Sequence, residues 1–145
     1  MEELVIQYGP GGLFLAAFLA ATLLPFSSEA ALAAAVGLGM PAGAALLWAS
    51  AGNCLACLVN YYLGRFLGGP LLRRTVRSRG GRSAYRRIKQ HGTGALWLAW
   101  LPIIGDPITV LAGVFRMNLS VFLAIVWSTR IARYVVLLLI IKGVV

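Results

Sequence analysis

The apolar positions of this 145-residue chain form two runs that are long enough to cross a membrane. The runs cover residues 42–66 and 119–141. About 20 helical residues span a bilayer core of about 30 Å, so each run predicts one membrane-spanning α-helix. Four shorter apolar stretches, each about half a span, lie at 13–24, 30–38, 95–101 and 108–115.

Prolines separate the two members of each pair of short stretches. Pro25 follows the first stretch, and Pro102 and Pro107 follow the third. Proline has no amide hydrogen and obstructs the preceding helical turn, so each pair is expected to form a broken, re-entrant hairpin. Lipid cannot satisfy open backbone hydrogen bonds, so such a hairpin has to be buried in protein or to line a wet cavity.

The two breaks lie in similar sequences, LPFSSEAALAAAVGLGM at 24–40 and LPIIGDPITVLAGVFRM at 101–117. In both, an acid (Glu29 or Asp106) stands four residues after the proline, and a full spanning run follows. A re-entrant hairpin returns to its own side and the next helix crosses once, so the two copies face opposite ways. The predicted fold class is an all-α integral membrane protein with an inverted repeat of two units, each a re-entrant helical hairpin followed by one transmembrane helix.

Composition supports a membrane protein. The chain is 60% hydrophobic and 12% charged, with a mean hydropathy of +0.85, which excludes an ordinary water-soluble domain. We therefore expect a single membrane domain over 1–145, with repeat 1 at about 11–67, a basic loop at about 68–92 and repeat 2 at about 93–142.

The basic loop carries most of the positive charge. Nine of the 13 basic residues lie between Arg65 and Lys89, so the net charge of +9 belongs to one loop, and a nucleic-acid partner is not expected. The positive-inside rule places the loop, residues 65–91, in the cytoplasm and both termini outside. The loop either forms a short amphipathic helix on anionic headgroups or serves only as a topology anchor, and both interpretations stay open.

Small residues recur every four positions in both spanning runs. They are Gly52, Ala56, Asn60, Gly64 and Gly68 in the first, and Ala124, Ser128 and Ala132 in the second. Such strips let helix backbones approach closely in lipid, so both are predicted to be packing faces. Asn53 and Asn60 are candidate cross-helix hydrogen-bond donors.

No catalytic or metal-binding pattern is present in the sequence. Cys54 and Cys57 have no second cysteine pair beside them, and His91 is the one histidine. The cysteines are expected to pack as small hydrophobes, and no enzyme activity, metal or other cofactor is expected.

Four ionisable residues in apolar sequence are the candidate site: Glu29, Asp106, Arg130 and Arg133. A charge at membrane depth is costly, so the arginines need partners, and their three-residue spacing puts them on nearly one helix face. Opposed half-helix N-termini with two arginines suit a phosphate, and the acids can pair with the arginines or carry a proton.

The alternative is that the acids only begin two half-helices, with Asp106 as the N-cap and Pro107 at the first helical position. The residues predicted to support the site are Pro25, Ser27, Ser28, Asn53, Asn60, Pro102 and Pro107.

Five motifs follow one another along the chain: TLLP-x-x-SE, GN with N-x-x-LGRF, HG, LPIIGDPI-x-x-LAG-x-x-R and R-x-x-RY. In this order they resemble the DedA superfamily, or VTT domain, and most closely its small YqaA-like branch. The resemblance covers residues 14–134 and implies two re-entrant hairpins in inverted topology. It also implies lipid movement between leaflets, of undecaprenyl phosphate or phospholipid, linked to the proton motive force. The positions that the family is thought to need fall on Glu29, Asp106, Arg130 and Arg133.

The leading hypothesis is therefore a proton-coupled flippase for a phosphate-bearing lipid in a bacterial inner membrane. Its partners would be anionic lipids, protons and a second copy of the chain, because two spanning helices are too few to enclose two broken hairpins. A proton-coupled transporter of a small ion or drug and a non-transporting membrane organiser are the alternatives.

Overall fold

The computed structural model describes residues 2–23, 27–101 and 104–143, and side chains at 2–5 and 20–27 are outside the description. These residues form helices and turns, with no β-strand among them. The α-helices are α1 (Glu2–Leu23), α2 (Ser27–Gly37), α3 (Ala42–Leu67), α4 (Gly69–Thr75), α5 (Arg79–His91), α6 (Gly105–Val114) and α7 (Leu119–Ile141), and a 3₁₀ helix covers Gly92–Trp100.

The two predicted spans are confirmed as helices α3 and α7. Within the described part of the chain, these two helices are long and apolar enough to cross a membrane. The first two short stretches lie in separate helices, since α1 ends at Leu23 and α2 begins at Ser27. The helix that holds the first stretch is longer than the expected half-span, because α1 covers 22 residues from Glu2 and is kinked at Gly9. Pro25 and Pro102, to which the sequence assigns the breaks, lie outside the described residues. The re-entrant path and the inverted repeat stay predictions.

The third short stretch differs from the expected α-helical half-span. It is a 3₁₀ helix, which rises about 2.0 Å per residue and makes poorer hydrogen bonds. It begins at Gly92, whose φ of 56° ends α5, and it is followed by Leu101, which is extended with ψ of 135°. An extended conformation is typical of a residue that precedes proline.

The chain divides into two compact units, Met1–Ala56 with Arg130–Val145, and Cys57–Thr129. In unit 1, α1 and α2 pack together. Its core is rich in alanine and consists of Leu13, Ala16, Ala17, Ala31, Leu32, Ala35, Ala45, Ala49, Tyr134 and Leu138. Gly52 of α3 faces the backbone of α1 so closely that an added Cβ would collide with the carbonyl oxygen of Phe14.

Unit 2 is held by a second close helix approach. A Cβ at Gly64 of α3 would collide with the carbonyl of Val110, and a Cβ at Gly113 of α6 would collide with the carbonyl of Tyr61. Tyr61 is fully buried, its ring lies 4.8 Å from that of Phe122, and its hydroxyl donates to the Met117 carbonyl. The α3 and α6 backbones therefore meet at two glycines.

The small-residue strip of α3 is a packing face over most of its length. Ala56 and Asn60 are buried, whereas a Cβ added at Gly68, which follows the end of the helix with φ of 48°, would meet nothing within 4 Å. The strip on α7 does not face the core of the chain, because Ala124, Ser128 and Ala132 are exposed, and its packing against another helix stays a prediction. The buried face of α7 instead holds Phe122, Val126, Thr129, Arg130, Arg133, Tyr134 and Leu138. Its polar members can be satisfied only inside the protein.

The basic segment contains an amphipathic helix, α5, and its placement on anionic headgroups stays a prediction. Ser78 caps it, with its hydroxyl oxygen accepting from Gly81 N at 2.9 Å. Gly81, Ala84 and Ile88 are buried along one face, and α5 packs against α6 and the 3₁₀ helix.

Replacement of Gly113 by Ala is expected to lower the free energy of unfolding by about 1–3 kcal/mol, because the new Cβ has to displace the α3 backbone. Thermal unfolding of the purified protein in detergent measures this loss. The control is Gly43→Ala, where the added Cβ would meet nothing within 4 Å and the change should be neutral or slightly stabilising. Equal stability of the two variants would contradict the close approach of α3 and α6.

Candidate functional site

An ion pair joins α2 to α7 inside unit 1. Arg133 Nε lies 3.3 Å from Glu29 Oε1. The arginine side chain is only 10% exposed, whereas that of Glu29 is 41% exposed. Glu29 occupies the first turn of α2, where the positive end of the helix dipole also favours its negative charge. The cation is thus buried in protein, and the anion is its more accessible partner.

Arg130 lies one turn before Arg133 on α7 and is also buried. It is 2% exposed and is the largest of the fully buried side chains in the described residues. The three-residue spacing places both guanidinium groups on nearly one face of the helix. Two buried guanidinium groups and the Glu29 carboxylate thus lie in unit 1.

Tyr134 connects this charged face to α3. Asn53 Nδ2 donates to the Tyr134 hydroxyl at 2.9 Å, and the Arg133 guanidinium lies 5.7 Å from the centre of the Tyr134 ring. Asn53 is therefore a cross-helix donor, as predicted. Tyr134 was not singled out from the sequence, although it ends the R-x-x-RY motif that carries the resemblance.

Two buried serines lie on helices of unit 1. Ser28, beside Glu29 on α2, is 3% exposed. Ser50, three residues before Asn53 on α3, is 8% exposed, and its Oγ has no hydrogen-bond partner among the described residues. A buried hydroxyl without a partner costs about 1–3 kcal/mol. Nothing in the sequence pattern distinguishes Ser50 from a packing serine.

Asp106 belongs to unit 2, and its position in α6 differs from the expected N-cap. Gly105 N already donates to the Leu101 carbonyl at 2.8 Å, and α6 begins at Gly105. Asp106 and Pro107 are thus the second and third residues of the helix. Proline is tolerated there because amides of the first turn have no partner within the helix. The carboxylate still lies in the first turn, at the positive end of the dipole.

A second polar contact crosses from α3 to α6. Asn60 Nδ2 donates to Thr109 Oγ1 at 3.3 Å, and Thr109 Oγ1 donates to the Asp106 carbonyl at 2.7 Å. Thr109 is fully buried and was not among the predicted residues. Cysteines 54 and 57 are buried as well, and the described residues hold no cluster of three metal-ligating side chains.

The structure brings together part of the predicted constellation. Glu29 and Arg133 are in contact and Arg130 lies on the same helix face, all within unit 1. Asp106 lies in the other unit, so its convergence with these three stays a prediction. Of the supporting residues, Pro25, Pro102 and the side chain of Ser27 fall outside the description.

The VTT domain model matches residues 24–143, which contain all four candidate charges. The chain belongs to the VTT domain family. This family is part of the DedA superfamily of membrane proteins. The inner membrane protein YqaA of Escherichia coli and that of Shigella flexneri are each 38% identical to the chain, over 85% of it and 84% of the relative.

A further relative is an uncharacterised protein of Haemophilus influenzae, 33% identical over 87% of this chain and 83% of its own length. No solved structure matches the chain.

A double-mutant cycle of Asn53→Ala and Tyr134→Phe should give a coupling energy of about 0.5–1.5 kcal/mol, the net contribution of one buried hydrogen bond. Denaturant or thermal unfolding in detergent provides the four free energies. Tyr62→Phe, on the exposed side of α3, is the control and should leave stability unchanged. A coupling energy of zero would show that the hydroxyl and the amide do not interact.

Proposed function

We propose that the protein moves a phosphate-bearing lipid between membrane leaflets and that Glu29 and Arg133 exchange partners during transport. The observation that carries this proposal is their ion pair, in which a buried cation is held by a more exposed carboxylate. A phosphate can compete with the Glu29 carboxylate for the Arg133 guanidinium, because arginine binds phosphate and carboxylate with the same planar set of donors.

The second arginine supports a phosphate over a simple carboxylate ligand. Arg130 and Arg133 together supply two buried positive charges on nearly one face of α7. A phosphate that displaces the Glu29 carboxylate can bind both guanidinium groups through their planar sets of donors. The unpartnered hydroxyl of Ser50 in the same unit offers a further donor.

Proton coupling follows from the displaced acid. Once a phosphate takes the arginine, the Glu29 carboxylate loses its counter-charge and becomes the group that carries the proton in this scheme. Asp106 at the corresponding step of α6 would serve the second repeat in the same way. In this scheme repeat 1 (about 11–67) and repeat 2 (about 93–142) are inverted copies built on re-entrant hairpins, and a second copy of the chain shields the broken helices from lipid.

The proposed setting is the inner membrane, as for the relative YqaA of E. coli, with the basic segment in the cytoplasm and both termini outside. A lipid substrate fits two spanning helices, because its acyl chains stay in the bilayer while only the headgroup crosses.

Arg133→Gln should slow lipid translocation by about 10- to 100-fold, since a hydrogen bond to a charged group contributes about 1.5–3 kcal/mol. The assay follows fluorescent phospholipids and polyprenyl phosphate between leaflets of proteoliposomes. The matched control is Lys142→Gln, which removes an exposed charge just beyond α7 and should keep the wild-type rate. Uptake of a water-soluble ion without lipid movement would favour a small-ion transporter. If the wild type moves neither lipid nor ion, and Arg133→Gln disrupts assembly of the protein, a membrane organiser is favoured.

Glu29→Gln should abolish the dependence of translocation on a pH gradient, because the amide cannot take up a proton but keeps the size of the side chain. Rates are compared with and without an imposed gradient in the same proteoliposomes. Asp106→Asn is measured beside it to identify which acid carries the coupling. Unchanged pH dependence in both variants would refute proton coupling through these acids.

A further inference from the structure

A basic groove lies between α4 and α5 in unit 2, away from the residues of the candidate site in sequence. Its volume is about 550 Å³. Three of its lining residues are apolar or aromatic and four are cationic: Leu72, Val76 and Tyr85, and Arg73, Arg82, Arg86 and Lys89. The groove thus combines an apolar floor with a cluster of positive charge.

The walls of the groove are held by contacts of their own. Gly81 at the start of α5 lies against the Thr75 carbonyl at the end of α4, where a Cβ would collide. Both α4 and α5 pack on α6, and the Tyr85 ring lies 5.9 Å from that of Phe115. Since the buried face of α5 belongs to the unit 2 core, the groove is a formed feature of the fold.

The four cations have no acidic partner within the described residues. The whole chain contains four acids, at positions 2, 3, 29 and 106, and none lies in the segment that builds the groove. All four cations are exposed, and Lys89 Nζ is placed 5.5 Å from the centre of the Tyr85 ring. Like charges gathered without acids repel one another, so an anion in the groove is favoured.

The lining and the position of the groove indicate the source of that anion. A small inorganic anion gains nothing from Leu72 and Val76, whereas the glycerol and upper acyl carbons of a phospholipid do. In addition, α4 begins at Gly69, two residues after the spanning helix α3 ends at Leu67. The groove is therefore tied closely to the membrane surface, where anionic headgroups are abundant.

We propose that the groove between α4 and α5 is a binding site for the headgroup of an anionic phospholipid from the adjacent leaflet. Arg82, Arg86 and Lys89 line up at spacings of four and three residues along one flank of α5 and face the phosphate together with Arg73 of α4. The site uses different residues from the Glu29–Arg133 pair, so it stands or falls independently of the transport proposal.

The test measures binding of phosphatidylglycerol with a fluorescent acyl chain to the full chain in detergent, by fluorescence anisotropy. The protein carries Arg133→Gln, which weakens binding at the candidate transport site. In this background the double variant Arg82→Gln, Arg86→Gln should raise the Kd by about 10-fold or more, as expected for two basic residues at a membrane surface.

The matched control is the double variant Arg79→Gln, Arg87→Gln, which removes the same charge from the same helix outside the groove. It should change the Kd by less than about 2-fold, because surface charges away from a bound anion are screened by salt. Equal weakening by the two double variants would overturn the proposal in favour of a diffuse basic surface.

Two further probes distinguish the source of the anion. Phosphatidylcholine with the same label should bind much more weakly than phosphatidylglycerol, since its headgroup has no net charge. Inorganic phosphate should displace the lipid only at far higher concentration. Displacement at equal concentration would identify a simple phosphate site and overturn the lipid proposal, as would equal binding of the two lipids.

Discussion

The buried guanidinium of Arg133 is the constraint on which the rest of unit 1 depends. A charge on an apolar spanning helix is tolerated when a counter-charge reaches it inside the protein. Glu29 can reach Arg133 only if the N-terminus of α2 lies close to α7. This requires α2 to be a separate short helix that begins beside Arg133, and not the continuation of one straight spanning helix. The separate helices α1 and α2 and their alanine-rich core are consistent with this requirement.

Close backbone contact provides the second constraint, because burial in lipid supplies little hydrophobic driving force between helices. Gly52 in unit 1, and Gly64 with Gly113 in unit 2, let helix backbones touch. Polar pairs then fix the register, Asn53 with Tyr134 in unit 1 and Asn60 with Thr109 in unit 2. Helix α3 thus presents one strip of small and amide side chains to its neighbours in each unit.

Helix α7 shows why a small-residue strip alone does not identify the face that packs within the chain. Ala124, Ser128 and Ala132 have the same spacing as the strip of α3 but are exposed. The opposite face carries Arg130, Arg133 and Tyr134, and exposure of these groups to lipid would cost far more than exposure of alanine. The need to satisfy polar groups therefore decides the rotation of α7, and spacing alone does not.

Several features followed from the sequence by itself, because they depend on local composition and length. These are the all-helical class, the bounds of both spanning helices, the separate helices on either side of residues 24–26, and the choice of Glu29 and Arg133 as charges that need partners. Tertiary structure alone decided which acid contacts Arg133 and where α6 begins relative to Asp106. It also decided that the hydroxyl groups of Tyr134 and Thr109 accept the hydrogen bonds from the two asparagine amides. Finally, it decided that residues 92–100 form a 3₁₀ helix, and that α4 and α5 enclose a groove. These features depend on contacts between residues distant in sequence, and the periodicity of a single segment carries no information about such contacts.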